Sequence, residues 1–253
     1  PKQIPSLEDM GFHTTTIELP SNQVRIEIIK TYDTTRNFPA NVKSTTRLGL
    51  HLRFGTISIR SLLRSGLELN DTFVSELIWR DFFQMALYYF PESRSKAIKA
   101  KYDLIPWEFN QEQFDAWCNG NTGYPIVDAG MRELNATGYM HNRVRMIVAS
   151  FLTKHLLMDW RLGEAYFAEK LLDFDLASNI GGWQWASGSG LDAAPYFRVF
   201  NPTSQMEKFD KDRTYIRKWV PEWGTPSYTQ PIVEHKWARE RCLATYKEAL
   251  TNA

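Results

Sequence analysis

Cysteine is nearly absent from this chain: Cys118 and Cys242 are the only two in 253 residues, they lie far apart, and neither has metal-ligand spacing. That excludes a disulfide scaffold and a thiolate metal centre, and a reducing compartment is expected. No apolar run approaches the roughly eighteen residues of a membrane span, and no secretory signal opens the sequence, so a soluble, cytoplasmic chain is expected. Charge of one sign is lacking too. The formal net charge is +1 from 30 basic and 29 acidic residues, so any nucleic-acid surface must come from local segregation of Arg and Lys. The chain has no G-x-G-x-x-G, no Walker A loop and no G-x-S-x-G, and no strand that could feed one. His13, His51, His141, His155 and His235 are scattered without metal spacing; no metal site is expected, and only His141 draws notice, for its neighbours.

What is present is apolar and helical. Hydrophobic residues make up 43% of the chain, enough for a sizeable core in one large unit or two closely packed lobes. Strand signals are nearly missing, which predicts an all-α fold. Residues 1–31 read as a lead-in: Pro1, Pro5 and Pro20 punctuate an extended or looping stretch, and a short helix is expected over Gln23–Tyr32. Asp33–Lys43 reads as loop. Ser58 caps a helix that closes at Gly66, and Asn70 or Asp71 caps the next, which Pro91 stops after Phe90. On that helix Glu76, Trp79, Arg80 and Phe83 fall at i, i+3, i+4 and i+7, so one stripe carries acid, aromatic and base together. Glu76 and Arg80 alone would be a surface ion pair; the Trp between them favours a binding face. Further helices are expected over Ile126–Ala136, His141–Leu157 (after a break at Gly138), Gly163–Leu172, Asp210–Trp219 and Trp237–Leu250. Asn142, Arg145, Met146 and Ala149 share one face, which leaves room for a ligand or simply packs on a neighbour with Arg143 and Arg145 in solvent.

The stretch from Asp173 to Gln205 fits neither period. It holds two carboxylates two apart, Asn179, a Gly181-Gly182 pair, Trp183 and Trp185, and Gly188-Ser189-Gly190. An irregular segment held by polar contacts is expected, with Asp173, Asp175, Asn179 and Gln184 as partners for loop backbone. Gly181 and Gly182 let the backbone pass close to something flat. A Trp-rich core with ordinary turn residues is the competing reading.

Five further blocks accompany this stretch: Ser44-Thr45-Thr46-Arg47-Leu48, Glu76 to Phe82, Thr122 to Ala129, Met140-His141-Asn142-Arg143-Val144-Arg145-Met146, and Trp160-Arg161. Their order and spacing, from about residue 32 to 223, resemble the flavin-binding domain of the photolyase and cryptochrome family, and closely resemble that of bacterial class I cyclobutane pyrimidine dimer photolyases. The resemblance implies that residues 32–253 form a helical domain binding FAD and a DNA lesion. Family members carry an N-terminal α/β antenna domain before this region, so the chain, beginning at Pro1, is expected to be the flavin domain alone, and monomeric.

The same resemblance implies the site. Tyr32, Thr45, Thr46, Arg47 and Leu48 match cofactor-binding positions, with Arg80, Asn142, Arg145, Asp173, Asp175 and Asn179 completing them. Thr45, Thr46 and Arg47 offer hydroxyls, a cation and backbone N–H groups suited to a diphosphate. Gly49 stands where many relatives have Ser, so weaker retention of FAD is expected. Asn179 matches the position facing flavin N5, where Asn cannot supply a proton. Glu76 would hydrogen-bond a flipped-out dimer in damaged DNA, Asn142 and Met146 would line its pocket, and Trp79 and Trp185 would sandwich its bases. Trp183, Trp160 and Trp107 match a photoreduction chain. Arg36, Arg143 and Arg198 are the leading phosphate contacts, followed by Lys208, Lys211 and Arg213. The implied activity is light-driven splitting of the dimer by electron transfer from excited reduced FAD. A cryptochrome-like blue-light sensor without repair and a non-catalytic nucleic-acid-binding module are the alternatives; (6-4) lesions fit less well, since Asn142 and Met146 stand where His residues are expected.

Overall fold

The computed structural model describes residues 4–251, and among them there is no β-strand; Pro1 lies outside the described residues. The lead-in is exposed up to two short helices, α1 (Ile26–Lys30) and α2 (Tyr32–Thr35). Next come α3 (Gly49–Phe54), α4 (Ile59–Leu69) and the long α5 (Asp71–Tyr89). Ser58 caps α4 by accepting from the N–H of Ser61, and Asn70 caps α5 by accepting from that of Phe73. Gly66 does not close α4 as expected. It lies inside the helix, where a Cβ would stand 3.0 Å from Val74, so its role is close packing against α5 rather than termination.

Single 3₁₀ turns at Pro91–Arg94 and Ala100–Leu104 lead to α6 (Gln111–Asn119), α7 (Pro125–Thr137) and α8 (Asn142–Ser150). Both α6 and α7 end on a left-handed glycine, Gly120 and Gly138. The helix expected to run from His141 to Leu157 changes character at Phe151, where a five-residue π-turn, Phe151–His155, follows α8. Then follow α9 (Trp160–Lys170), α10 (Leu176–Ser187), α11 (Pro202–Phe209), α12 (Thr214–Trp219) and α13 (His235–Thr251).

Two of these helices correct the sequence expectation. The segment after Asp173 is helical over Leu176–Ser187, which is α10, capped by Asp175 and closed by Gly188 at φ 97°, and is irregular as expected over 188–201. Helix α11 was not expected; Asn201-Pro202 marks its start, with the Asn side chain accepting from the N–H groups of Thr203 and Ser204.

The main core lies between α6, α7, α8, α9 and α10 around Trp117, Trp160, Trp183 and Phe151. Helices α7 and α8 cross closely because Gly130 has no Cβ; one would lie 2.3 Å from Val144. A second cluster, Ile29, Tyr32, Leu48, Leu62, Phe73 and Leu77, joins α1, α2, α4 and α5. A third seats α13 through Cys242 and Tyr246. Both cysteines are free, and burial pushes the Cys118 thiol up to about 12 and that of Cys242 up to about 11. No helix among the described residues is long and apolar enough to cross a membrane.

Candidate functional site

Helices α5, α8 and α10 converge on one cavity of about 390 Å³. Each contributes the stripe that helical spacing dictates: Glu76, Trp79, Arg80 and Phe83 from α5; Asn142, Arg145, Met146 and Ala149 from α8; Ser178, Asn179, Gly182, Trp183 and Trp185 from α10. The loop before α10 adds Asp173 and Asp175. Gly182 keeps one wall open, since a Cβ there would meet nothing within 4 Å. Its neighbour Gly181 faces the other way, where a Cβ would lie 2.2 Å from the Phe83 ring, so α10 can lie flat against α5. Phe83 in turn rests against Trp79, ring centroids 5.6 Å apart.

Charge is arranged in pairs. Glu76 pairs with Arg36 at 2.5 Å, not with Arg80 as helical spacing suggested. Arg145 pairs with Asp173 at 2.9 Å; burial works to lower its pKa, but the carboxylate more than offsets this and raises it. Arg80 has no ion-pair partner among the described residues. Arg143 is held by Asn37 Oδ1, at 3.2 Å from Nε and 2.6 Å from Nη2, and stacks over Phe209. Burial lowers its pKa, as does Arg36, against the pull of Glu76. Asp175 accepts from Ser178 N–H and from Gln84 Nε2, so its carboxylate both caps α10 and ties it to α5. Asn179 donates from Nδ2 to the Glu164 carbonyl at 3.0 Å and to its Oε1 at 2.9 Å. Burial pushes the Glu164 carboxyl up, opposed by that Asn179 bond.

The five N-terminal positions stand apart from the cavity lining. Tyr32 and Leu48 are packed in the second core cluster, Tyr32 against the edge of Phe73. Thr45 and Arg47 reach the site through Tyr139. The Tyr139 hydroxyl is 3.1 Å from Thr45 Oγ1, Arg47 lies 4.4 Å over its ring, and cavity-lining Arg145 lies 5.8 Å over it. Arg47 adopts φ 55°, which turns the chain sharply into α3. Thr46 is half-buried and Arg47 exposed. At Gly49 a Cβ would lie 3.0 Å from Asp173 Oδ2, so the missing side chain also leaves space for that carboxylate.

Of the three expected relay tryptophans, Trp183 lines the cavity and reaches into the core, 6.1 Å from Trp117 and 5.1 Å from Phe167 between ring centroids. Trp160 is buried at the start of α9 beneath the Arg161 guanidinium, and Trp107 meets Tyr246 edge-on at the third cluster. Arg198 is exposed and does not line the cavity; its carbonyl accepts from buried Lys154. Sequence reasoning missed Glu164, Gln84 and Tyr139, which hold Asn179, Asp175 and Thr45. Only Asn179, Asp175 and Thr45 matched a motif, and the residue supporting each is brought up by tertiary packing. His141 caps α8: its Nδ1 accepts from Arg143 N–H, which leaves the proton on Nε2, 3.2 Å from Ser44 Oγ.

Residues 73–227 match the family described as the FAD binding domain of DNA photolyase. The chain is 47% identical over 247 residues to the deoxyribodipyrimidine photo-lyase of Escherichia coli, covering 86% of this chain and 52% of that protein. A bacterial class III photolyase from Agrobacterium tumefaciens superposes with a TM-score of 0.83 at 43% identity, over 88% of this chain and 53% of that one. A cryptochrome from Synechocystis superposes with a TM-score of 0.80 at 30% identity, over 95% of this chain and 60% of that one. The chain thus spans about half the length of the curated relatives it matches.

Proposed function

The chain belongs to the DNA photolyase family, and from that premise we propose that residues 32–253 hold FAD in the cavity between α5, α8 and α10 and repair cyclobutane pyrimidine dimers in damaged DNA under light. The observation that carries this reading is the convergence, in one cavity, of stripes from three helices separated in sequence. The lining suits a flat ring edged with N–H and carbonyl groups. Gly182 leaves a wall without a side chain, Arg80 is a donor with no ion-pair partner among the described residues, and Asn142, Ser178 and Asn179 offer short polar groups. When bound, reduced FAD supplies a light-excited electron that opens the cyclobutane ring and is then returned.

The rest is the work of the chain's own residues. Arg80, Asn142, Arg145, Asp173, Asp175 and Asn179 hold the ring edge, and Glu164 fixes the Asn179 amide so that its Oδ1 is left for the ligand. Thr45, Thr46 and Arg47 bind the diphosphate across Tyr139, with Tyr32 and Leu48 backing them from the core. Trp79 and Trp185 flank the flipped bases, Glu76 accepts from a base edge, and Asn142 and Met146 fill the pocket between. Because no external acid or base is needed, positioning and preorganised electrostatics carry the catalysis. Trp183, Trp160 and Trp107 pass electrons inward from the surface. Arg143 and Arg198 contact phosphates, in a cytoplasmic monomer.

The test is anaerobic, light-dependent repair of a defined thymine dimer by the FAD-loaded chain. Restored thymine is expected in the light and none in the dark. Flavin retained without repair would leave the sensor reading, which the cryptochrome likeness supports; no flavin retained would end both.

A further inference from the structure

Arg36 and Glu76 were expected to do separate things, one at a phosphate and the other at a base, yet they engage each other. Arg36 Nη1 lies 2.5 Å from Glu76 Oε1, with side chains only 20% and 28% exposed, and both line the cavity. The guanidinium is supported from behind, 5.3 Å over the ring of Tyr32, which is itself packed edge-on to Phe73. Both partners therefore stand on buried structure: Arg36 at the end of α2 and Glu76 one turn into α5. No other group among the described residues bonds the Glu76 carboxylate, which leaves Oε2 as a free acceptor beside the cavity.

Resting on the reading of the cavity as the lesion site, we propose that Arg36 is a positioning residue that acts on the flipped base through Glu76 and makes no phosphate contact. An ionised carboxylate only accepts hydrogen bonds. With one oxygen held by a guanidinium on a rigid backing, the other is presented at a fixed place to the ring N–H of a pyrimidine, and the loss of side-chain freedom has already occurred in the free protein. The adjacent cation is Arg143, anchored on Asn37 and Phe209 and without an ion-pair partner among the described residues, so it remains the phosphate ligand at this rim.

A double-mutant cycle on lesion binding, read together with its salt dependence, tests this. Arg36→Gln should weaken binding to dimer-containing DNA about tenfold, whereas the same change in the E76Q background should have an effect below about twofold, because residues acting through one contact are non-additive. Arg36→Lys, which keeps the cation, should recover most of the loss. The slope of log affinity against log salt should be the same in wild type and R36Q, while Arg143→Gln should lower it by about one. Additive effects of R36Q and E76Q, or a slope lowered by about one in R36Q, would overturn the proposal with the lesion site left standing. Wild-type protein with no preference for damaged DNA would overturn the lesion site itself, and the proposal with it. Thermal melts and flavin retention of each variant separate these outcomes from misfolding.

Discussion

Gln184 shows how much a single side chain decides. It is wholly buried one position from Trp183, and its amide is used at both ends: Oε1 accepts from Ile98 N–H, and Nε2 donates to the carbonyls of Ser93 and Lys96. Ser93 belongs to the first 3₁₀ turn, and Lys96 and Ile98 to the chain linking it to the second, so Gln184 stands in for secondary structure along a stretch that has little of its own. Gln184→Leu keeps the volume and strands all three. The Ser93 bond is buried and the other two part-buried; a buried backbone group left without a partner costs about 1–3 kcal/mol and a part-buried one less, because water can replace the partner, so a loss of about 2 kcal/mol or more is expected in denaturant unfolding. A loss under about 1 kcal/mol would mean the segment finds other partners. That Gln184 serves backbone was legible in the sequence from its place among Gly and Trp residues. Which backbone was not, because Ser93 and Lys96 lie some ninety residues earlier.

At the scale of elements, what could be read depended on whether a helix has one wet face. The stripes of α5 and α8 were legible because polar and apolar residues alternate at helical spacing, and their cavity-facing residues came out as grouped. Helix α10 was not, since α5, α8 and α9 all pack on it and nothing in its sequence separates an inside from an outside. Of its paired glycines, Gly182 borders the cavity, while Gly181 is a contact point between helices. The same holds for Gly163 on α9: a Cβ there would lie 2.0 Å from Trp183 Cη2. Gly163→Ala must therefore push the Trp183 ring or part α9 from α10. Overpacking of this kind costs about 1–3 kcal/mol despite the gain in helix propensity from Ala. The expected result is a lower melting temperature with a shifted tryptophan emission, since Trp183 also borders the cavity. An unchanged spectrum would show that α9 gives way instead.

Across the whole molecule, near-neutral net charge conceals a concentration of cations around one imidazole. Arg145, Arg143, Arg47 and Arg36, from three separated stretches, all bear on His141. Burial first, and then those four charges, lower its pKa from 6.5 to about 3. His155, drawn to His235 at 2.8 Å across 80 residues, is lowered to about 3 as well, by burial and then by His235, Arg241 and Lys154. Only Arg143 and Arg145 are neighbours of His141 in sequence; Arg36 and Arg47, and the pairing of His155 with His235, have no local signature, which is why the other histidines read as scattered. The sign follows from which state binds the proton. Unfolded imidazoles protonate near 6.5 and the folded ones near 3, so each contributes stability that is whole above pH 6.5 and falls by about 1.4 kcal/mol per pH unit towards pH 3. Buried Glu133 and Asp128, whose pKa values burial raises, work in the opposite sense as acid is added, so a melting curve alone mixes the two effects. Imidazole ¹⁵N shifts separate them. Both rings should keep neutral shifts from pH 8 to pH 5, with His141 fixed as the Nε2–H tautomer that its bond from Arg143 N–H demands. An imidazolium signal for His141 growing in at pH 6 would mean that the four arginines do not share its surroundings in solution, and the link from Ser44 to α8 would have to be abandoned with them.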